Sequence, residues 1–568
     1  MMSLASWSLT VMSVPQTKRR CFSSRYRSGF RCSADDHSSN DNNLKESPNK
    51  KKKKVVVVGS GWAGLGAAHH LCNQGFDVTV LGGDDGFGGP EDVGNRGYWY
   101  PYKNIFSLVD ELGIKPFTSW TKSAQYSEEG LEVEFPTFQD LPQLPSPLGT
   151  LFYTQFFQLP FADRFTTLPL MAAAIDFDNT DIAWRKYDPI TARELFKRFG
   201  CSERLYKNVI GPLLQVGLFA PPEQSSAAAT LGMLYYILAH QKDFNILWCR
   251  GTVREKIFEP WIDSMKTKGC EFIEGRKVTG FSVDEETGCV SSVTCGRETY
   301  NADAVILAVG ISTLQDLIKN RLTPEQSVET SLVDPLLPIL LSTRVDFGIM
   351  YSAVLCTREE FLKVLNLDSI DVLTVKLWLD RKVSIPYASN ACSGFDDSFG
   401  WTFFHLNMIH DEHKDDPVTV LQADFYYANE LLPQKDEIIV AKAISYLSKC
   451  VKDLENAAVT EKEIKRFPNS LSHFFPGSYK YMLRGSTSFP NLFMAGDWII
   501  NRHGSWAQEK SFVTGLEAAN RVVDYLEEGS FAKIIPVEDD EPHIEALRIL
   551  NRRFNEVQVQ LPFSDYFL

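Results

Sequence analysis

Four consecutive β-branched residues, Val55 to Val58, follow a run of lysines and stop at Gly59. A short run that is apolar at every position predicts a strand buried on both faces, as in the middle of a parallel sheet. LGAAHHLCNQG then switches to helical spacing, and DVTVL (77–81) returns to an apolar strand. Between the first strand and the helix stands Gly59-Ser60-Gly61-Trp62-Ala63-Gly64. A strand, G-x-G-x-x-G, helix and strand within about 30 residues predict a dinucleotide-binding turn. Gly59 permits the tight turn, Gly61 lets backbone approach a pyrophosphate, and Gly64 lets helix and strand pack closely. The helix N-terminus then offers unpaired N–H groups and positive potential to the phosphates.

Further along, apolar and aromatic residues keep helical spacing through 140–245, as in LFYTQFFQLPFADRFTTLPLMAAAI (151–175) and TLGMLYYILAH (230–240). RGTVREKIFEPWIDSMKTKG (250–269) reads as an amphipathic helix. Residues 320–465 read as β-rich, with strands at 372–380, 400–410 and 418–427. A charged helix, EPHIEALRILNRRF, is expected near the carboxy-terminal end. No apolar run approaches the ~20 residues needed to span a bilayer.

Charge divides the chain. Residues 1–54 carry a net charge of +8 and the remainder −22. An acidic body excludes nucleic acid as a partner, because phosphate contacts need clustered Lys and Arg. Residues 1–34 contain no Asp or Glu, are rich in Ser and hold six Lys/Arg. That composition predicts an organellar transit peptide, plastid before mitochondrion, and 35–54 a disordered linker. The eleven Cys form no C-x-x-C pair, so they read as free thiols in a reducing compartment. His405, His410 and His413 read as a solvated loop, and no metal site is expected.

VVVVGSGWAGLGAAHHLCNQGFDVTVL and YWYPYKNIFSLVDELGI (98–114) resemble the flavin amine oxidase superfamily, within it most nearly the plant phytoene and zeta-carotene desaturases. The resemblance returns in KVTGFSVDEETGCVSSVTCGRETYNADAVILAVG (277–310), FPNLFMAGDWI (489–499) and TGLEAANRVV (514–523). It implies an α/β fold: a Rossmann-like FAD-binding domain of the GR2 type, interleaved with a substrate domain of mixed sheet plus helices. FAD-binding parts are expected at 55–140, 246–318 and 471–530, a helical lid at 141–245, a substrate-domain sheet at 319–470 and a helix with a tail at 531–568. The implied FAD contacts are Gly59, Ser60, Gly61, Trp62, Ala63, Gly64, Gly88 and Gly89 early in the chain, then Val278 at the adenine and Ala308 and Gly310 near the return strand. Gly496, Asp497, Glu509 and Lys510 follow, the last two opening a helix beneath the flavin. Lys510 would lie near the flavin N1 and C2 carbonyl.

Three departures bear on this. Gly82 stands where the family has a ribose-binding Glu, leaving Asp84 or Asp85 as substitutes. Gly88-Gly89-Pro90 replaces Gly-Gly-Arg, and Ala507-Gln508-Glu509-Lys510-Ser511 replaces Ser-Met-Glu-Gly-Ala. No catalytic acid or base is singled out. Three readings stay open. The first is a plastid FAD enzyme that dehydrogenates or isomerises an apolar, carotenoid-like isoprenoid and passes electrons to a quinone-like acceptor, with peripheral membrane contact allowed. The second is an amine oxidase-like enzyme acting on a polar small molecule, with Trp498 and Trp506 as candidates for an aromatic cage. The third is a degenerate, non-catalytic nucleotide-binding protein.

Overall fold

The computed structural model describes residues 52–83, 93–237, 240–319, 354–396, 398–503 and 508–559. The expected transit peptide, nearly all of the expected linker, Gly88, Gly89 and Trp506 lie outside them.

Lys54–Val58 is the central strand of a five-stranded parallel sheet. It pairs with Asp77–Leu81 on one side and Ala304–Leu307 on the other. Glu271–Ile273 and Leu492–Met494 complete the edges. Val55 and Val57 are fully buried, which is why the run carries no polar alternation. Helix Trp62–Asn73 packs against helix Gln508–Leu526 at two small-residue contacts. A Cβ on Gly66 would lie 2.7 Å from the Phe512 ring, and one on Gly515 would lie 2.1 Å from the Ala63 carbonyl oxygen. Gly280–Val283, Val290–Cys295 and Glu298–Asn301 form the antiparallel meander that leads into the return strand.

The second layer is an eight-stranded mixed sheet. Its long strands, Asp368–Leu379, Val420–Tyr426 and Val459–His473, come from the β-rich region. Three others, Ser123–Ser127, Gly130–Phe135 and Gln155–Phe156, come from far earlier in the chain. They join through parallel pairing of Ser123–Ser127 with Ser389–Cys392. The sheet is therefore not confined to 319–470. Of 140–245, expected to be mostly helical, short helices fill most of 160–237, whereas Gln155–Phe156, inside the stretch 151–175, pairs into the mixed sheet instead.

The stretch 400–410 is only half strand. Gly400–His405 pairs with Val420–Tyr426, and Leu406–Ile409 then turns as a short helix. Asn407 sets that turn: its amide nitrogen donates to the carbonyls of His413 and Val418, and its oxygen accepts from the Val420 N–H at 2.8 Å. The solvated-loop expectation for the histidines is corrected, since His405, His410 and His413 are all buried. His410, Glu412 and His413 bring their ligand atoms within 4.8 Å of one another. Lys376 Nζ already stands 3.4 Å from the Glu412 carboxylate and supplies a cation there. Among the described residues, no helix is long and apolar enough to cross a membrane.

Candidate functional site

The three motif glycines serve different ends. Gly59 has φ +105°, and a Cβ there would lie 2.2 Å from the Ala308 carbonyl oxygen. A Cβ on Gly64 would lie 1.8 Å from the Gly59 carbonyl oxygen. Both are required by the protein's own turn. A Cβ on Gly61 would meet nothing within 4 Å. Gly61 caps the twelve-residue helix Trp62–Asn73, whose first turn holds no acidic residue. The backbone at Gly61 thus leaves open, at a helix N-terminus, the space a pyrophosphate needs.

Gly61 and Trp62 border a cavity of about 350 Å³. Asp497, Gln508 and Ser511 lie along its wall. Gly496 turns the chain there with φ +143°, and its N–H donates to the Thr514 hydroxyl at 2.9 Å. Asp497 accepts from the Ser472 hydroxyl at 3.2 Å; burial pushes its carboxyl above the ordinary range, against the pull of the Lys510 charge. The Gln508 amide bridges the two sides of the cavity, accepting from the Trp62 indole at 3.1 Å and donating to the Gly97 carbonyl at 3.4 Å. Arg96 and Asp497 are the charged side chains among the described lining residues. Much of the remaining wall is apolar: Trp99, Leu213, Val216, Ile246, Trp248 and Phe404. A smaller pocket of about 50 Å³ shares the first five of these and extends the apolar space.

The expected contacts divide accordingly. The Gly59–Gly64 turn and Ala308 come together, and Gly61, Trp62 and Asp497 face the cavity. A Cβ on Gly310 would also meet open space. The Val278 side chain is buried in the core. The Trp498 indole is fully buried and donates to the Val309 carbonyl at 3.1 Å, so it forms no cage wall. From the helix opening, Gln508 and Ser511 reach the cavity; Glu509 and Lys510 do not line it.

Glu509 instead caps helix Lys103–Leu112. Its carboxylate accepts from the N–H and side-chain amide of Asn104, each at 2.8 Å, and from the Ile105 N–H at 3.0 Å. These N–H groups have no partner within their own helix. Glu509→Gln is expected to cost about 1–2 kcal/mol, because the charge is lost and an NH₂ faces donors. A fall in melting temperature with unchanged flavin content checks this. Lys510 is buried, and burial pulls its ammonium down to about 8, with Asp497 and Glu517 opposing. Sequence reading missed Arg96 and Asn95 as cavity residues. They precede the quoted YWYPYKNIF stretch but follow no periodic pattern.

Residues 62–523 match the flavin containing amine oxidoreductase family. The chain belongs to that family. Its cofactor is FAD, and the open face of Gly61 at a helix N-terminus fits that group. None of the curated proteins compared matches the chain in sequence. Among solved structures, it is similar to a putative protoporphyrinogen oxidase from an Exiguobacterium species, at 16% identity and TM-score 0.56, over 84% of this chain and 99% of that one. It is similar to cyclohexylamine oxidase from Brevibacterium oxydans, at 14% identity and TM-score 0.58, over 84% and 100%. It is also similar to putrescine oxidase bound to putrescine, at 14% identity and TM-score 0.58, over 83% and 99%. At these identities the likeness establishes the fold.

Proposed function

We propose that this member of the family dehydrogenates an apolar, isoprenoid-like molecule and passes the two electrons to a quinone-like acceptor, or isomerises such a molecule with no net oxidation. The observation that carries the reading is the cavity beside Gly61, with its aromatic and aliphatic walls. FAD, when bound, supplies the two-electron chemistry. The chain's own residues do the rest. The Gly59–Gly64 turn and the Trp62–Asn73 helix hold the phosphates, and the apolar walls orient the substrate and exclude water.

An absorption spectrum tests this in two steps. The purified chain is expected to show the bands of an oxidised flavin, and their absence would favour the degenerate, non-catalytic reading. Anaerobic addition of an isoprenoid polyene should then bleach the bands. Bleaching by an alkyl diamine but not by the polyene would sink the proposal in favour of amine oxidation.

A further inference from the structure

The cavity wall holds two side-chain donors without an acceptor among the described residues. Arg96 Nη1 and Asn95 Nδ2 are out of reach of solvent and have no hydrogen-bond partner among the described residues. Both residues line the 350 Å³ cavity. Their backbone is held in place, since the Asn95 N–H donates to Asp424 Oδ2 at 2.7 Å, and Asp424 Oδ1 accepts from the Gln422 amide at 2.8 Å. Asp424 is fully buried, and a Cβ on Gly94 would lie 2.6 Å from Oδ2, so the segment has little freedom to turn away. The Arg96 guanidinium also lies over the Phe219 ring, 4.5 Å from its centre.

A guanidinium N–H shut off from solvent without an acceptor is costly even on a half-buried side chain, and proteins seldom keep one without a use. Asp497, the other charge on this wall, accepts from the Ser472 hydroxyl at 3.2 Å, and among the described residues no ion pair joins it to Arg96. Arg96 is thus the cation left to face a ligand. A guanidinium fork matches the two oxygens of a carboxylate, and the Asn95 amide adds a third donor.

We propose that Arg96 and Asn95 hold a carboxylate carried by an otherwise apolar substrate. The inference rests on the reading of this cavity as the substrate chamber. It also sets the cavity against cationic amines, which the Arg96 charge would repel.

The full-length chain is titrated with decanoate, decylamine and decanol, following quenching of tryptophan fluorescence, with flavin content read separately by absorbance. Decanoate is expected to bind about tenfold or more tighter than either of the others, the scale of one charge-assisted pair. Arg96→Leu should erase that preference while decanol binding and flavin content stay within about twofold. Decylamine binding as tightly as decanoate in the parent would overturn the proposal without recourse to any variant. So would an Arg96→Leu protein that loses flavin yet keeps the decanoate preference, since the guanidinium would then serve the anionic cofactor. A parent without flavin bands would count against the proposed function alone, because the decanoate preference is still read by fluorescence.

Discussion

Gly61→Val is expected to give a protein that folds and melts like the flavin-free parent but purifies colourless. The Gly61 backbone, at φ −80° and ψ −169°, is extended, a conformation that valine adopts without strain. A Cβ there meets no protein atom within 4 Å. The branched side chain would instead stand between the helix N-terminus and the pyrophosphate, and flavin retention should fall at least about tenfold. Gly64→Ala should fail in the opposite way. Its Cβ would lie 1.8 Å from the Gly59 carbonyl oxygen, and backbone on both sides prevents relief. The strand-to-helix turn must open, at a cost of about 3 kcal/mol or more. Flavin-to-protein absorbance and melting temperature, measured on both variants, separate the two roles. A Gly61→Val protein with the parental flavin ratio would show that the turn is not the FAD site. A Gly64→Ala protein with the parental melting temperature would show that the close packing is not needed.

What was legible in the chain was local. The four valines, the glycine spacing and the following helix all report short-range geometry, and they predicted the centre of the parallel sheet. The mixed sheet was harder, because its pairing of Asn390 with Ala124 joins segments far apart in the chain. SNAC (389–392) has neither alternation nor β-branched residues to mark it as a strand. It is fully buried by its neighbours, and burial rather than propensity makes it a strand. The histidine cluster failed for a related reason. Polar residues in a polar context read as loop, but the Asn407 hydrogen bonds fold that loop back and bury His410 and His413. The helix opening was within reach. Residues three apart share a helix face, so the face that Gln508 and Ser511 present to the cavity turns Glu509 and Lys510 elsewhere. The family resemblance marks Glu509 and Lys510 as cofactor contacts; helix geometry turns their side chains toward the protein's own interior.

Lys510→Met is expected to stabilise the flavin-free protein at neutral pH, by an amount that shrinks as pH rises. Lys510 is 3% exposed, and burial draws its ammonium from the ordinary 10.5 down to about 8. The folded state therefore releases this proton more readily than the unfolded chain does. Between pH 8 and 10.5 the unfolded chain binds more protons, so this group makes folding stability rise with pH. Below pH 8 the parent carries a buried charge that costs about 3 kcal/mol relative to the neutral amine. Methionine has a similar length and no titration, so it escapes that cost. Losing the Lys510 charge deprives Asp497 and Glu517 of a favourable neighbour, which offsets the two curves without adding slope above pH 8. Buried tyrosines such as Tyr102 and Tyr426 have hydroxyls held above their ordinary range in parent and variant alike, and cancel in the difference. Urea unfolding of both proteins, followed from pH 7 to 10.5, should show the gap narrow by about 3 kcal/mol across the window. Parallel curves over that range would mean that no buried ammonium sits behind Asp497. The Gly→Lys departure would then be a neutral change rather than a charge the fold must carry.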